Sequence, residues 1–304
     1  MTVKVPERIF DSMVGLIRKS VLQEDLQEKI IAYVEYKAIK GFPFAELAIL
    51  HYSMMNGAKT KEILAICAAV ELLVLAGDIL DDLEDGDAAG NPWLLDKAVG
   101  LNASTAILML AINLLNQSNH PFKEEAAGIF IEYTLLACNG QHMDLTNQLP
   151  DESECLNAIL LKSGSLAALA CLVGSALAIG SPPEPIARYS RYIGLIGQLN
   201  NDLQDLWGRN NKSDLLGRKY TLPTLYLLKG KSEASALIRK YYSWEVGQDE
   251  LVRNNEKISA AILESGVHTY IGVMKKIYQN KVKHELKHLG VSHQYIDQLI
   301  QYTL

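Results

Sequence analysis

The sequence predicts an all-α protein, and three features of its 304 residues carry that expectation. Ala, Leu, Ile, Lys and Glu dominate the composition, whereas Pro and Phe are scarce at 9 and 5. Apolar residues recur at helical spacing through most of the chain. The periodic stretches are punctuated by short breaks such as GFP, NG, QSNHP and GSPP, with no linker and no composition shift. One domain spanning residues 1–304 is therefore the expected organisation.

The elements follow in order. Residues 4–40 read as two amphipathic helices, Val5–Ser20 and Glu24–Ile39, ending at Gly41-Phe42-Pro43. A third helix runs from Phe44 to Met55 and stops at the Asn56-Gly57 turn. Thr60 is the expected N-cap of a long helix reaching Asp85. The polar stretch Asp87–Pro92 is a loop next to an acid cluster, a place where loops often cover a site. A helix starts at Asn102 or Ser104 and ends near Leu115, and Pro121 opens another to about Thr146. Residues 151–180 read as one helix closed by Gly180-Ser181-Pro182-Pro183, and Glu184 starts one to about Trp207. After the polar loop GRNNKSD come short helices to Tyr242, then two or three amphipathic helices to the end.

Composition narrows function. Hydrophobic residues make up 49% of the chain, ample for a large core. The net charge is −6 without a basic block, which argues against nucleic acid. Cys67, Cys138, Cys155 and Cys171 show no CxxC spacing and lie in helical patterns, so they read as buried, reduced cysteines of a cytoplasmic protein. The start, MTVKVPERIF, has no signal-peptide core. The most apolar window, Ile63–Leu80, is broken by Glu71 and ends in acids, which suits a core helix rather than a membrane span.

That helix ends in DILDDLEDGD. Asp78, Asp81, Asp82 and Asp85 are spaced three, four and seven apart, on one helix face. Acids are unfavourable at a helix C-terminus, so four together call for a cation or open solvent. Mg²⁺ takes carboxylate oxygens together with substrate phosphate oxygens, so the site reads either as a metal–diphosphate site or as a solvated helix end. A second cluster, QLNNDLQD, places Asp202 and Asp205 one turn apart, with Gln198 and Asn201 beside them. Facing helices in a bundle commonly build metal sites from two such rows. Lys162 is the sole charge in the apolar run LKSGSLAALA and needs an anion or a route to water; Lys219 follows the second cluster in RKYTLP. Gln141 and Asp144 share a face, either bracing the site or ending a surface helix; His142 between them carries no role as a lone histidine.

Together DDxxD (Asp81–Asp85), GQxxD (Gly140–Asp144), KxG (Lys162–Gly164), NDxxD (Asn201–Asp205) and KxTLP (Lys219–Pro223) resemble the trans-isoprenyl diphosphate synthases, in order and over most of the chain. The resemblance implies an isoprenoid-synthase-type bundle of long helices around a central cavity. It implies Mg²⁺ held by Asp81, Asp82, Asp85, Asn201, Asp202 and Asp205. It implies diphosphate oxygens gripped by Lys162 and Lys219, with Gln198, Gln141, Asp144 and Asp78 close to the substrate, and a homodimer.

The departures are equally informative. Chain-elongating members carry a Gly-Lys-x-Arg segment and an Arg pair after the first acid motif to bind a second diphosphate. Here the matching stretches, Lys40–Glu46 and Gly86–Trp93, contain no Arg, and Glu46 stands in the first. A second diphosphate would lack fork-shaped donors. The segments FAELAILHY, DILDDLED, GQHMDLTN, LKSGSLAALA, GVHTYIGV and IYQNK are similar to a branch of the family that prenylates tryptophan in a pheromone precursor. That branch implies geranyl or farnesyl diphosphate as donor and a small tryptophan-containing peptide as acceptor, in competence signalling. The competing expectations are chain elongation with isopentenyl diphosphate, a class I terpene cyclase and a non-catalytic subunit. The cyclases carry Ser or Thr and then Glu where Asp205 and Arg209 stand, and a non-catalytic subunit should have lost ligands that are intact here. Ala76 and Gly77, before the first motif, leave room for a long prenyl chain or serve close helix packing.

Overall fold

The computed structural model describes residues 5–58, 62–85, 90–148, 151–207 and 213–304. Regular structure among them is helical throughout: α1 (Val5–Ser20), α2 (Glu24–Ala38), α3 (Pro43–Met54), α4 (Glu62–Glu84), a 3-10 turn (Pro92–Leu94), α5 (Lys97–Gln117), α6 (Lys123–Thr146), α7 (Glu152–Leu161) and α8 (Ser163–Ile179). There follow α9 (Glu184–Asp205), α10 (Leu222–Leu228), α11 (Glu233–Tyr242), α12 (Gln248–Arg253), α13 (Asn255–Glu264), α14 (Val267–Lys287) and α15 (His293–Gln301).

The helix α8 is the axis of the bundle. Its sequence is apolar all round, and residues from Gly164 to Leu177 are nearly all buried. Around it stand α3, α6 and α9, with α4 and α5 behind α3. The helix α1 covers α4, α2 lies against α1, α5 and the 3-10 turn, and α14 covers α9. The C-terminal turns of α4, α6 and α9 meet the N-terminal end of α8. Three negative dipole ends, each carrying acids, therefore converge, and that end of the bundle attracts cations.

Several boundaries differ from those expected. The helix α5 begins at Lys97 because Asp96 caps it, its Oδ1 accepting from the Ala98 and Val99 amides at 3.1 Å. Pro43 is the first residue of α3 rather than part of the break, as suits proline at N1. Residues 151–180 form two helices, broken at Lys162, whose ψ is −87°. Four helices, not two or three, follow Tyr242. Cys138 is exposed, whereas the other three cysteines are buried, and all four are free thiols. Thr60, Gly86, residues 87–89 and Arg209 lie outside the described residues.

Three stretches are long and apolar enough by composition to cross a membrane: α4, α5 and residues 152–179. The most apolar window of α4 is 72% buried inside the protein. Within α4, Glu71 is fully buried. Its Oε2 accepts from the Ala45 amide at 2.8 Å, and Lys37 lies 3.6 Å from its Oε1. Burial pushes the Glu71 carboxyl up to about 7, with Lys37 opposing.

Candidate active site

The break at Lys162 creates the site. Gly140 on α6 and Gly194 on α9 clamp it from both sides. A Cβ on Gly140 would stand 2.2 Å from the Lys162 amide nitrogen, and one on Gly194 would stand 2.2 Å from the Ser163 carbonyl oxygen. Only glycine allows backbones this close. Lys162 is thereby held where two acid-bearing helix ends approach. Its Nζ donates to Asp81 Oδ1 and to Asp144 Oδ2, each at 2.8 Å. Burial alone would lower its pKa, but these two carboxylates raise it above the ordinary lysine value, so it remains an ammonium.

The first acid cluster divides into two stripes. Asp81 and Asp85, four apart, face the lysines: Lys219 Nζ lies 2.5 Å from Asp85 Oδ2. Asp78 and Asp82, also four apart, are turned about 60° from them and face α2 and the 3-10 turn. Asp78 pairs with Lys37 at 2.6 Å. Asp82 Oδ2 accepts from Asn91 Nδ2 at 2.5 Å and from Trp93 Nε1 at 2.8 Å. The shared face expected from spacing is thus broad enough to serve two walls. Asp82 is placed by neutral donors, which sequence spacing gave no means to foresee.

Gln141 meets the first stripe directly, and Asp144 meets it through Lys162. Gln141 Nε2 donates to Asp81 Oδ1 at 2.9 Å and to Glu84 Oε2 at 2.7 Å. His142, between them, is exposed. On α9, Asp202 is only 5% exposed. It accepts from Gln198 Nε2 at 2.8 Å, and Ser163 donates to Gln198 Oε1 at 2.6 Å. Asp205 is half-buried and Asn201 exposed, so the second motif presents Asp202 inward. Asp144, Cys155, Lys162, Gln198, Asp202 and Tyr220 line one pocket beside Lys162. Lys162, paired to Asp81 of the first row, thus stands in the same pocket as Asp202 of the second.

Electrostatics separates these carboxylates. Burial raises the Asp81 carboxyl, but Lys162 and the Gln141 amide overcompensate and hold it below the ordinary value. Burial dominates at Asp85, which is raised despite Lys219. Asp202 meets an amide rather than a cation, and burial followed by the nearby Asp214 pushes it up to about 8. Asp214 was not among the expected site residues. It precedes Lys219 in DLLGRKYTLP and is itself buried.

The donor set is oxygen-only, which suits a hard divalent cation. Among the described residues no three carboxylates, thiols or imidazoles converge into a closed metal cage. The residues fit a cation shared between protein carboxylates and phosphate oxygens, with Asp202 a buried carboxyl that makes no direct ion pair with a lysine. Gly77, one turn before Asp81, has no atom within 4 Å of where a Cβ would stand, so there the small residue leaves open space; Ala76 is packed into the core.

Residues 36–258 match the polyprenyl synthetase family. The chain belongs to that family. This polyprenyl synthetase is similar to the tryptophan prenyltransferase ComQ of Bacillus subtilis subsp. natto, with 34% identity over 96% of this chain and 90% of that one. It is 32% identical to ComQ of Bacillus subtilis strain 168 over 92% of each chain. Its fold is shared with the geranylgeranyl pyrophosphate synthase of Corynebacterium glutamicum solved with isoprenyl diphosphate and magnesium, at TM-score 0.81 and 16% identity over 99% of this chain and 97% of that one. The protein is a prenyltransferase.

Trp93 gives the first testable consequence. It is 4% exposed and packs edge-on against Tyr33 and Tyr36 at 5.6 and 5.5 Å. Trp93→Phe keeps an aromatic ring there but removes the donor to Asp82. Activity should fall about tenfold, the scale expected when the partner that orients a site carboxylate is lost. Folded stability should fall by about 1 kcal/mol. Steady-state rates and thermal melts check both, and an unchanged rate would mean that Asp82 needs no such anchor.

Proposed function

We propose that this polyprenyl synthetase ionises one allylic isoprenyl diphosphate, geranyl or farnesyl, and transfers the prenyl group to a tryptophan of a small precursor peptide, with Mg²⁺ as cofactor. One observation supports a single diphosphate. Where the resemblance places guanidinium groups in chain-elongating synthases, the stretch Lys40–Glu46 has no Arg and Glu46 faces the Tyr302 phenol, while Lys37 just before it on α2 is committed to Asp78 and Glu71. A second diphosphate would meet carboxylates there. The ComQ relatives, named as tryptophan prenyltransferases, supply the acceptor.

In this reading Asp81, Asp85, Asp202 and Asp205 hold Mg²⁺, with Asp82 and Asn201 at the margins of the two rows. A cation held there would neutralise charge on the departing diphosphate and so ease breaking of the C–O bond. Lys162 and Lys219 release part of their hold on Asp81, Asp144 and Asp85 to grip diphosphate oxygens. Gln141 and Gln198 keep Asp81 and Asp202 in place. The space beside Gly77 takes the chain, and apolar walls keep water from the allylic cation. The indole C3 attacks that cation, a backbone nitrogen closes a ring at C2, and the released diphosphate takes the proton.

A second copy of the chain covers the outer face of α5 and α6 in this proposal. Leu101 and Met109 on α5 and Ile131 and Leu135 on α6 are each more than half exposed. Exposed large apolar side chains on two neighbouring helices suit burial against a partner.

The test is incubation with geranyl or farnesyl diphosphate, Mg²⁺ and a tryptophan-containing precursor peptide, read by mass spectrometry. The expected product is the peptide heavier by one prenyl group, with none formed when Mg²⁺ is chelated. An unmodified peptide together with a lengthened prenyl diphosphate in the presence of isopentenyl diphosphate would establish chain elongation instead. A free hydrocarbon would establish a cyclase.

A further inference from the structure

The described residues contain four non-glycine residues in the left-handed region, and three of them surround Lys219. Asn147 closes α6 at φ 49°, Arg218 precedes Lys219 at φ 52°, and Trp244 has φ 64°. Such conformations cost free energy unless their surroundings hold them, and they concentrate at functional positions. Here the surroundings can be named.

The Asn147 carboxamide is used at both ends. Its Nδ2 donates to the Arg218 carbonyl at 2.8 Å, and its Oδ1 accepts from the Tyr220 amide at 2.9 Å. These are the main-chain groups on either side of Lys219. On the far side, the Arg218 guanidinium lies over the Tyr241 and Trp244 rings at 3.7 and 3.5 Å, and its Nε donates to the Tyr241 carbonyl at 2.8 Å. Lys219 itself donates its amide to the Asp214 carbonyl and accepts at its own carbonyl from Thr224 and Tyr242. The backbone of 218–220 is therefore pinned to α6, the same helix that brings Gln141 and Asp144 to the site.

We propose that Asn147 is a positioning residue for Lys219: its side chain bridges the backbone flanking the lysine and fixes the ammonium at the acid rows where diphosphate binds. This rests on the proposed diphosphate role of Lys219. Asparagine suits the task twice over. It tolerates the left-handed conformation that ends α6, and its carboxamide offers one donor and one acceptor to the two strands of the bridge. Leu or Ala at 147 would provide neither.

The test uses the full chain with Mg²⁺ and inorganic diphosphate as the probe, measured by calorimetry, together with hydrogen exchange of the backbone. Lys219→Ala should weaken diphosphate binding about tenfold, the scale of a lost charge-assisted contact. Asn147→Gly retains the backbone conformation and removes the bridge. It should weaken binding roughly three- to tenfold, speed exchange of the Tyr220 amide and leave exchange in α8 unchanged. In the Lys219→Ala background, the glycine substitution should add less than about twofold, because it acts through the lysine. If N147G binds diphosphate as the unaltered protein does, or if the two losses multiply in the double variant, the proposal is overturned. If K219A alone binds diphosphate normally, the diphosphate role of Lys219 fails and the proposal with it. Asn147→Asp keeps the acceptor for Tyr220 but not the donor to Arg218. Should N147G fold poorly, N147D decides: a smaller loss absent in the K219A background supports the bridge, and no loss overturns it.

Discussion

Lys162→Met should lower prenyl transfer roughly 10³-fold, the scale seen when one preorganised electrostatic contact to a developing charge is removed. The methionine keeps the apolar stem and deletes the ammonium. Two consequences follow from the geometry. In the proposed reading the departing diphosphate loses one of two lysines, and Asp81 and Asp144 lose the cation that lies 2.8 Å from each. Removing one partner of such a group leaves uncompensated charge. Asp81 and Asp144 are 31% and 28% exposed, so water screens part of the loss, and about 1–2 kcal/mol of stability is expected to disappear at neutral pH. The pH dependence identifies the cause. The Asp81 carboxyl lies below its ordinary value in the folded protein. It therefore adds stability above the unfolded pKa of about 3.9, and that stability is lost as pH falls through the lower folded pKa. In the variant the advantage is gone, so the gap between the two proteins should be widest near neutrality and close on acidification. Thermal melts across pH measure it. A constant gap would assign the loss to packing instead.

The same lysine shows how far a sequence reaches. That a lone ammonium in LKSGSLAALA needs an anion or a route to water follows from its apolar neighbours, and the structure supplies Asp81 and Asp144. That the run breaks at Lys162 does not follow, because every local cue there favours one helix. The break depends on Gly140 and Gly194, which come from helices before and after it and leave no room for side chains. The acid clusters were legible for a similar reason: like charges at a helix C-terminus are costly anywhere. Which wall each acid faces was not, because a turn of about 60° separates the Asp81–Asp85 stripe from the Asp78–Asp82 stripe and spacing cannot choose their neighbours. Asn147 escaped notice because its partners are main-chain atoms 71 and 73 residues away.

Asp202→Asn should abolish prenyl transfer and yet make the metal-free protein more stable at pH 8. The two effects have one origin. Asp202 is buried against the Gln198 amide and near Asp214, and its carboxyl is pushed up to about 8, by burial first. An unfolded aspartate titrates near 3.9, so between these values the folded state binds the extra proton. Protonation stabilises the fold fully below about pH 4, and the benefit is lost as pH rises through about 8, where the buried group must ionise without a cation. Asparagine has nearly the same shape and no charge to strip of water. Its melting temperature should exceed that of the unaltered protein by at least about 2 °C at pH 8, converge with it toward pH 5, and hardly vary between. Adding Mg²⁺ and inorganic diphosphate should reverse the order. The unaltered protein then gains stability by mass action, and the asparagine variant, lacking the buried charge, gains less. Turnover should fall roughly 10³-fold, because a neutral amide cannot supply the charge that a divalent cation needs. If D202N were active, or if Mg²⁺ with diphosphate stabilised both proteins equally, the unbalanced acid on α9 would not be the metal-directed half of the site. Retaining a group that weakens the empty fold makes physical sense only where a bound cation repays it.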